Sequence, residues 1–214
     1  MPILTVVSDA ADAYIVGENA VYATARGTAT GHGAAGTMRA GQWFIPPYYC
    51  YRSMLVFDTS AIGAGAIVNQ VNMILTCTTN ATPTDFDVQI VKQDWSAQNP
   101  IDAANRDAAY DGCLAGAADD NIWRNTAGIA VNTPYTSPNL DTAWVNVAGL
   151  TYYSLRSDRD FTGVAPAGQE YIFLASSDHA TPAYRPQLVI DYTLPAAGLL
   201  LQMQNHGVLN GGML

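Results

Sequence analysis

Three histidines, His32, His179 and His206, are the neutral-pH general bases of this chain, and none sits in a pattern that assembles a reaction centre. A serine nucleophile of the elbow type needs G-x-S-x-G, and a zinc hydrolase needs H-E-x-x-H. Neither string occurs. Asp178 and His179 are adjacent, and adjacent side chains on a strand or turn point apart, whereas a triad must converge. Asp85 and Asp87 are two apart, so one strand face would carry both. As an acid pair for glycoside cleavage they lack a partner across a cleft, and they read as a solvated strand face. GHGAAG (31–36) matches G-x-G-x-x-G, but holding pyrophosphate requires a helix immediately after it. TMRAGQWFIPPYY follows instead, so the segment reads as a turn-rich loop. The chain is expected not to be an enzyme.

Binding chemistry has more to work with. Asp107 with Asp111, Asp119 with Asp120, and Asp158 with Asp160 offer the oxygen ligands calcium takes. None forms an EF-hand loop, and Asp favours turns in its own right. No cofactor is expected, with a single structural calcium left as the alternative. Cys50, Cys77 and Cys113 lack CxxC spacing, which argues against zinc and thioredoxin-type sites. They read as small buried hydrophobes, and one disulfide plus a free thiol is the other reading. Asn80-Ala81-Thr82 matches a glycosylation acceptor and is taken as incidental without a secretory route. Trp43, Phe44, Tyr48, Tyr49 and Tyr51 crowd around Pro46 and Pro47. Exposed aromatic rings anchor protein interfaces or stack on sugars, whereas alternation sends part of such a cluster into a core. Trp43, Phe44, Tyr48 and Tyr49 are the candidate contacts to a partner protein or a glycan.

The elements that must position these residues are mostly strands. A period of two dominates. In 48–60, Tyr49, Tyr51, Ser53, Leu55 and Phe57 share a face; in 66–78, Ile67, Val71, Met73, Leu75 and Cys77 do; in 84–95, Phe86, Val88 and Ile90 do. QEYIFLA (169–175) and YRPQLVIDYT (184–193) read as two more strands, the second with Leu188, Ile190 and Tyr192 on one side. This alternation predicts antiparallel sheets packed on one face and wet on the other. Weaker strands are expected at 3–7, 12–16, 19–25, 37–45, 144–148 and 150–157. About ten short strands separated by turns make an all-β sandwich. One short surface helix is expected at 100–110, with Pro100 in its first turn. The region 96–141 is a long irregular connection.

Composition agrees. Hydrophobic residues make up 49% and charged residues 13%, which supports one well-buried core and excludes a disordered polyelectrolyte. The formal charge of −9 and the lack of a basic cluster argue against nucleic acid as partner. So little charge is also common where proteins pack into large assemblies. The first basic residue is Arg26 and no apolar stretch approaches the roughly 18 residues of a membrane span, so the expectation is cytoplasmic synthesis without a membrane partner. Residues 1–194 read as the sandwich domain, and 195–214 as a Leu/Gly-rich C-terminal extension without charge. Its Leu199, Leu200, Leu201 and Leu209 are a candidate anchor for a partner, the alternative being a frayed end.

Two stretches carry a family resemblance. RSMLVFDTSAIGAGAIVNQVNMIL (52–75) resembles the signature of DNRLRE-type domains: an Arg, an apolar strand ending in Phe-Asp, a Ser, a Gly-containing turn and an alternating strand. YRPQLVIDYT (184–193) is similar to that family's closing strand, and ADAYIV (11–16) to its opening one. The resemblance spans 11–194, with its good matches at the two ends, and region 96–141 departs from a compact version. It implies a jelly-roll β-sandwich, akin to carbohydrate-binding modules, without catalytic residues. Arg52, Leu55, Phe57 and Asp58 take structural places, with Leu55 and Phe57 in the core. Similar sequences occur in phage structural proteins. The expectation is therefore a virion structural protein, made in the host cytoplasm and placed on the virion surface as a capsid decoration (cement) protein or short fibre. Its partners would be the major capsid protein or other virion subunits, with assembly as a homotrimer. The alternative is a free carbohydrate-binding module recognising a glycan through exposed aromatics.

Overall fold

The computed structural model describes residues 2–34, 36–80 and 82–195, without the side chains of 34 and 119–121. His206 and the proposed anchor residues Leu199, Leu200, Leu201 and Leu209 lie outside the described residues. Twelve strands are described: β1 Ile3–Val7, β2 Ala13–Asn19, β3 Gly31–Ala34, β4 Thr37–Phe44, β5 Tyr48–Asp58, β6 Ile67–Asn80, β7 Asp87–Lys92, β8 Ala117–Asn125, β9 Pro134–Thr136, β10 Leu150–Ser157, β11 Gln169–Ala175 and β12 Gln187–Thr193. Three short helices accompany them: α1 Tyr22–Gly27, α2 Arg106–Ala115 and α3 Asp158–Thr162. Every described strand pair is antiparallel. The fold is an all-β antiparallel sandwich.

The strands follow one hydrogen-bonded path, β1-β12-β6-β11-β4-β5-β10-β7-β8, with β2 and β3 added beside β5 and β9 beside β6. β4 turns the corner between the layers. Its second half pairs with Tyr48–Tyr51 of β5, whereas its first half contributes Met38 and Ala40 to the core. Where the β4–β5 ladder stops, the Ser53 hydroxyl accepts from Arg39 N (2.9 Å) and donates to Arg39 O (2.8 Å), so the parting backbone stays satisfied. Gly41 sits at the bend with φ +119°, and a Cβ there would collide with the Glu170 carbonyl oxygen.

β5 faces two interiors. Leu55 and Phe57 join Val88 and Ile90 of β7 and Tyr153 and Leu155 of β10. These meet Val71, Met73 and Leu75 of β6, Ile172 and Leu174 of β11, and Leu188 and Ile190 of β12 across the sandwich. Cys50, Met54 and Val56 point the other way, into a second core closed by α1 and α2 with Ile15, Ala25, Trp95, Ala109, Tyr110 and Cys113. The expectation of one packed and one wet face therefore fails for β5, because helices cover its second face. All three cysteines are buried and free.

Other expectations change for local reasons. Residues 19–25 are not a strand: Asn19 Oδ1 accepts from Val21 N (2.9 Å), turning the chain into α1. Residues 144–148 form no strand; a 3-10 turn at Thr142–Trp144 and irregular backbone take their place. The helix predicted at 100–110 begins at Arg106, Pro100 precedes it after a cis Asn99–Pro100 bond, and Ala109, Tyr110 and Cys113 make it a core element. GHGAAG begins with a strand, β3, beside β2. The connection 96–141 holds β8 and β9 as well as α2. Ile67 is 66% exposed, because the register shift opposite Asp191 and Tyr192 carries Val68 inward instead. No helix among the described residues is long and apolar enough to cross a membrane.

Candidate functional site

Ladder registry gathers aromatic residues from four strands on one outward sheet face. Gly41 of β4 is paired with Tyr51 of β5 on one side and with Tyr171 of β11 on the other. Lacking a side chain, it lets the two tyrosine rings meet over it at 5.2 Å between centroids. Trp43, two residues along β4, lies 5.6 Å from Tyr49 and 5.7 Å from Tyr171. Tyr49 and Tyr51 are 6.2 Å apart and within 5° of parallel. Tyr14 of β2 and Phe173 of β11 extend the set at 6.3 and 5.4 Å. Tyr51 is 4% exposed, and the other five rings are half-buried, so each keeps a wet edge.

Arg39 occupies the middle of this face. Its guanidinium carbon lies 4.6 Å from the Tyr14 centroid, 4.9 Å from that of Phe173 and 5.3 Å from that of Tyr51. Ring quadrupoles hold the cation. No carboxylate among the described residues forms an ion pair with it. Burial pushes the Tyr51 hydroxyl up to about 12, so it stays protonated through the physiological range. Tyr49 is also raised, by desolvation and by Glu18, whose Oε1 accepts its hydroxyl at 3.3 Å. The face thus offers hydroxyl donors, ring edges and one cation.

The sequence-predicted contact set divides. Trp43 and Tyr49 lie on this face. Phe44 and Tyr48 lie on the opposite one, stacked on each other at 4.3 Å, with Tyr48 against Tyr22 at 5.6 Å and packed on the second core. Sequence reasoning misses Tyr14, Arg39, Tyr171 and Phe173. The signals are the two-residue spacings Tyr49–Tyr51 and Tyr171–Phe173, which acquire meaning only once β4 is known to lie between β5 and β11.

The other candidates stay dispersed. His179 is on a turn, its Nδ1 accepting from Thr181 N (3.1 Å) and its ring against Tyr184, and His32 is in β3. Asp87 Oδ1 accepts from Asn125 (2.7 Å) and Asp85 Oδ1 from Thr126 (3.3 Å). Asp107 accepts from Ala29 N, and Asp158 accepts from Asp87 N. Asp160, in the first turn of α3, is fully buried and paired with Arg52 at 2.7 Å. No group of three or more His, Cys, Asp or Glu able to hold a metal occurs among the described residues. Asp58 ends β5, is exposed and accepts from Ser60 N, whereas Arg52 lies in the middle of that strand.

No family model matches the chain, and no curated protein matches it significantly.

Proposed function

We propose that this chain is a non-catalytic structural protein of a phage particle, a capsid decoration protein or short fibre, which docks on other virion subunits through the Trp43–Tyr171 face. The observation that supports docking is the make-up of that face: Trp, Tyr and Phe around an Arg, with no Lys, is the residue set that dominates the energetics of protein interfaces. Its rings are mostly tilted to one another, by 32° to 65°, which makes a ridged surface suited to interlocking side chains. The virion setting rests on the resemblance of 52–75 and 184–193 to DNRLRE-type domains and on the 13% charge content. Jelly-roll connectivity, homotrimer assembly and residence on the virion surface belong to the same reading. No cofactor takes part in it.

A second reading, a carbohydrate-binding module, is favoured by one observation: the half-buried rings of Trp43, Tyr49 and Tyr171 meet on one outward face, and partly exposed aromatics of this kind contact sugar rings. Quantitative mass spectrometry of density-banded particles from the source culture separates the two. Hundreds of copies per particle are expected of a decoration protein and a handful of a fibre. Absence from particles would overturn the virion reading and leave glycan recognition.

A further inference from the structure

β10 outruns its neighbour. Pairing with β7 begins at Tyr153, opposite Lys92, whereas β10 starts at Leu150, so Leu150–Tyr152 is laddered to β5 on one edge only. Two irregular segments border the open edge: the corner after β7, with Asp94 and Ser96, and the 3-10 turn ending at Trp144, followed by Asn146. Side chains fasten the second segment. Trp144 Nε1 donates to Tyr152 O (2.7 Å), and Thr151 Oγ1 accepts from Asn146 N (3.0 Å). Between the segments lies an open groove of about 580 Å³ lined by Asp94, Ser96, Trp144, Asn146, Leu150 and Tyr152. That volume falls within the roughly 300–1,000 Å³ of small-ligand sites.

The lining combines two chemistries. Trp144 and Tyr152 are half-buried rings held in place, the first by its Nε1 bond and the second by Trp95, 5.0 Å away and edge-on. Asp94, Ser96 and Asn146 are exposed at the rim. Asp94 Oδ1 accepts from Ser96 N (3.0 Å) and Asn146 Oδ1 from Ala148 N (3.2 Å), so the backbone orients both side chains. The second carboxylate oxygen and the amide nitrogen make no further hydrogen bond among the described residues. Ring faces accept the C–H face of a pyranose, a carboxylate accepts from sugar hydroxyls, and an amide donates to them. The lining carries a carboxylate and no cation, and nearby Lys92 is engaged by Asp141 at 2.9 Å, on a chain of net charge −9. That field selects against acidic sugars.

We propose that the groove between Asp94, Trp144 and Tyr152 is a binding site for a neutral saccharide, separate from the Trp43–Tyr171 face. The site stands independently of the virion reading. The probes are malto-, cello-, xylo- and chito-oligosaccharides, with oligogalacturonate as the acidic control, followed by calorimetry and tryptophan fluorescence. Of the four tryptophans, Trp95 and Trp123 are 0% and 3% exposed, so Trp43 and Trp144 are the reporters. At least one neutral oligosaccharide is expected to bind the full chain. Its fluorescence change should persist in Trp43→Phe and vanish in Trp144→Phe, and Asp94→Asn should weaken it by about tenfold, the loss of one charge-assisted hydrogen bond. Thermal unfolding of each variant establishes that it is folded, and Asp94→Asn, at an exposed position, decides between site and no site if Trp144→Phe does not fold. No neutral binding at millimolar concentration, preference for the acidic control, or binding lost in Trp43→Phe and retained in Trp144→Phe and Asp94→Asn would each overturn the proposal.

Discussion

The two sides of β5 show two ways of filling an interior. Towards the sandwich, Leu55 and Phe57 are surrounded by aliphatic and aromatic side chains from both layers, and stability there comes from removing apolar surface from water. Towards the helices, Arg52 is just as buried but charged. Its Nε and Nη2 bond the Asp160 carboxylate (2.7 and 3.0 Å), Nη1 bonds Tyr110 O and Nη2 also bonds Arg26 O. The Tyr110 ring covers the guanidinium, its centroid 3.7 Å away. Arg156 repeats the device by donating to the Cys113 and Leu114 carbonyls at the end of α2. The sandwich core asks of a side chain chiefly that it be apolar and of suitable volume and shape. The helix-side core specifies partners, because a buried cation depends on acceptors set at defined positions around it.

Breaking either side should be costly for different reasons. Phe57→Ala leaves a cavity in the sandwich core and should cost about 3–5 kcal/mol in urea unfolding; a loss below about 1 kcal/mol would mean that the cavity collapses or the position is not core. Arg52→Met leaves the buried Asp160 carboxylate with only the longer contact to Arg26 Nε (3.6 Å), also at about 3–5 kcal/mol, whereas Arg52→Met combined with Asp160→Leu should recover most of that loss. Equal losses in single and double variants would show that the helices need the hydrogen bonds rather than charge balance.

A third test concerns Asp12, which joins β1 to the β5 side. Burial pushes its carboxyl up to about 7, against the opposing hydrogen bonds from Ser8 Oγ (2.6 Å) and Val56 N. The unfolded chain releases this proton near pH 4 and the folded chain near pH 7. The stability from this group is therefore complete below about pH 4 and drains away up to about pH 7, by at most roughly 4 kcal/mol. Asp12→Asn should lack that slope, so the difference in stability between wild type and variant should change between about pH 4 and 7; parallel curves from pH 4 to 8 would refute it. The smallest effect belongs to the partly exposed Lys92–Asp141 pair outside both interiors, where Lys92→Ala should cost about 0.2–1 kcal/mol, less at high salt.

The contrast also explains what could be read in advance. Strands 150–157 and 169–175 were legible to the residue, because alternating apolar residues report burial in the sandwich core. Residues 117–125 and 19–25 were not: β8 lacks a clean alternation, and α1 forms because Asn19 turns a β-prone sequence. Arg52 showed its place on a strand but not its partners, which lie 26, 58 and 108 residues away. The aromatic face was half legible for the same reason. Trp43 and Tyr49 are close in sequence, whereas Tyr14 and Tyr171 reach them only through the pairings of β2 with β5 and β11 with β4.

Docking through the aromatic face is tested most directly by particle assembly with a folded variant of that face. Trp43→Ser with Tyr171→Ser removes two half-buried rings and leaves both cores intact. The variant should unfold cooperatively near the wild-type temperature and be missing from density-banded particles that carry the wild-type chain. Incorporation of the folded variant at wild-type copy number would contradict the account.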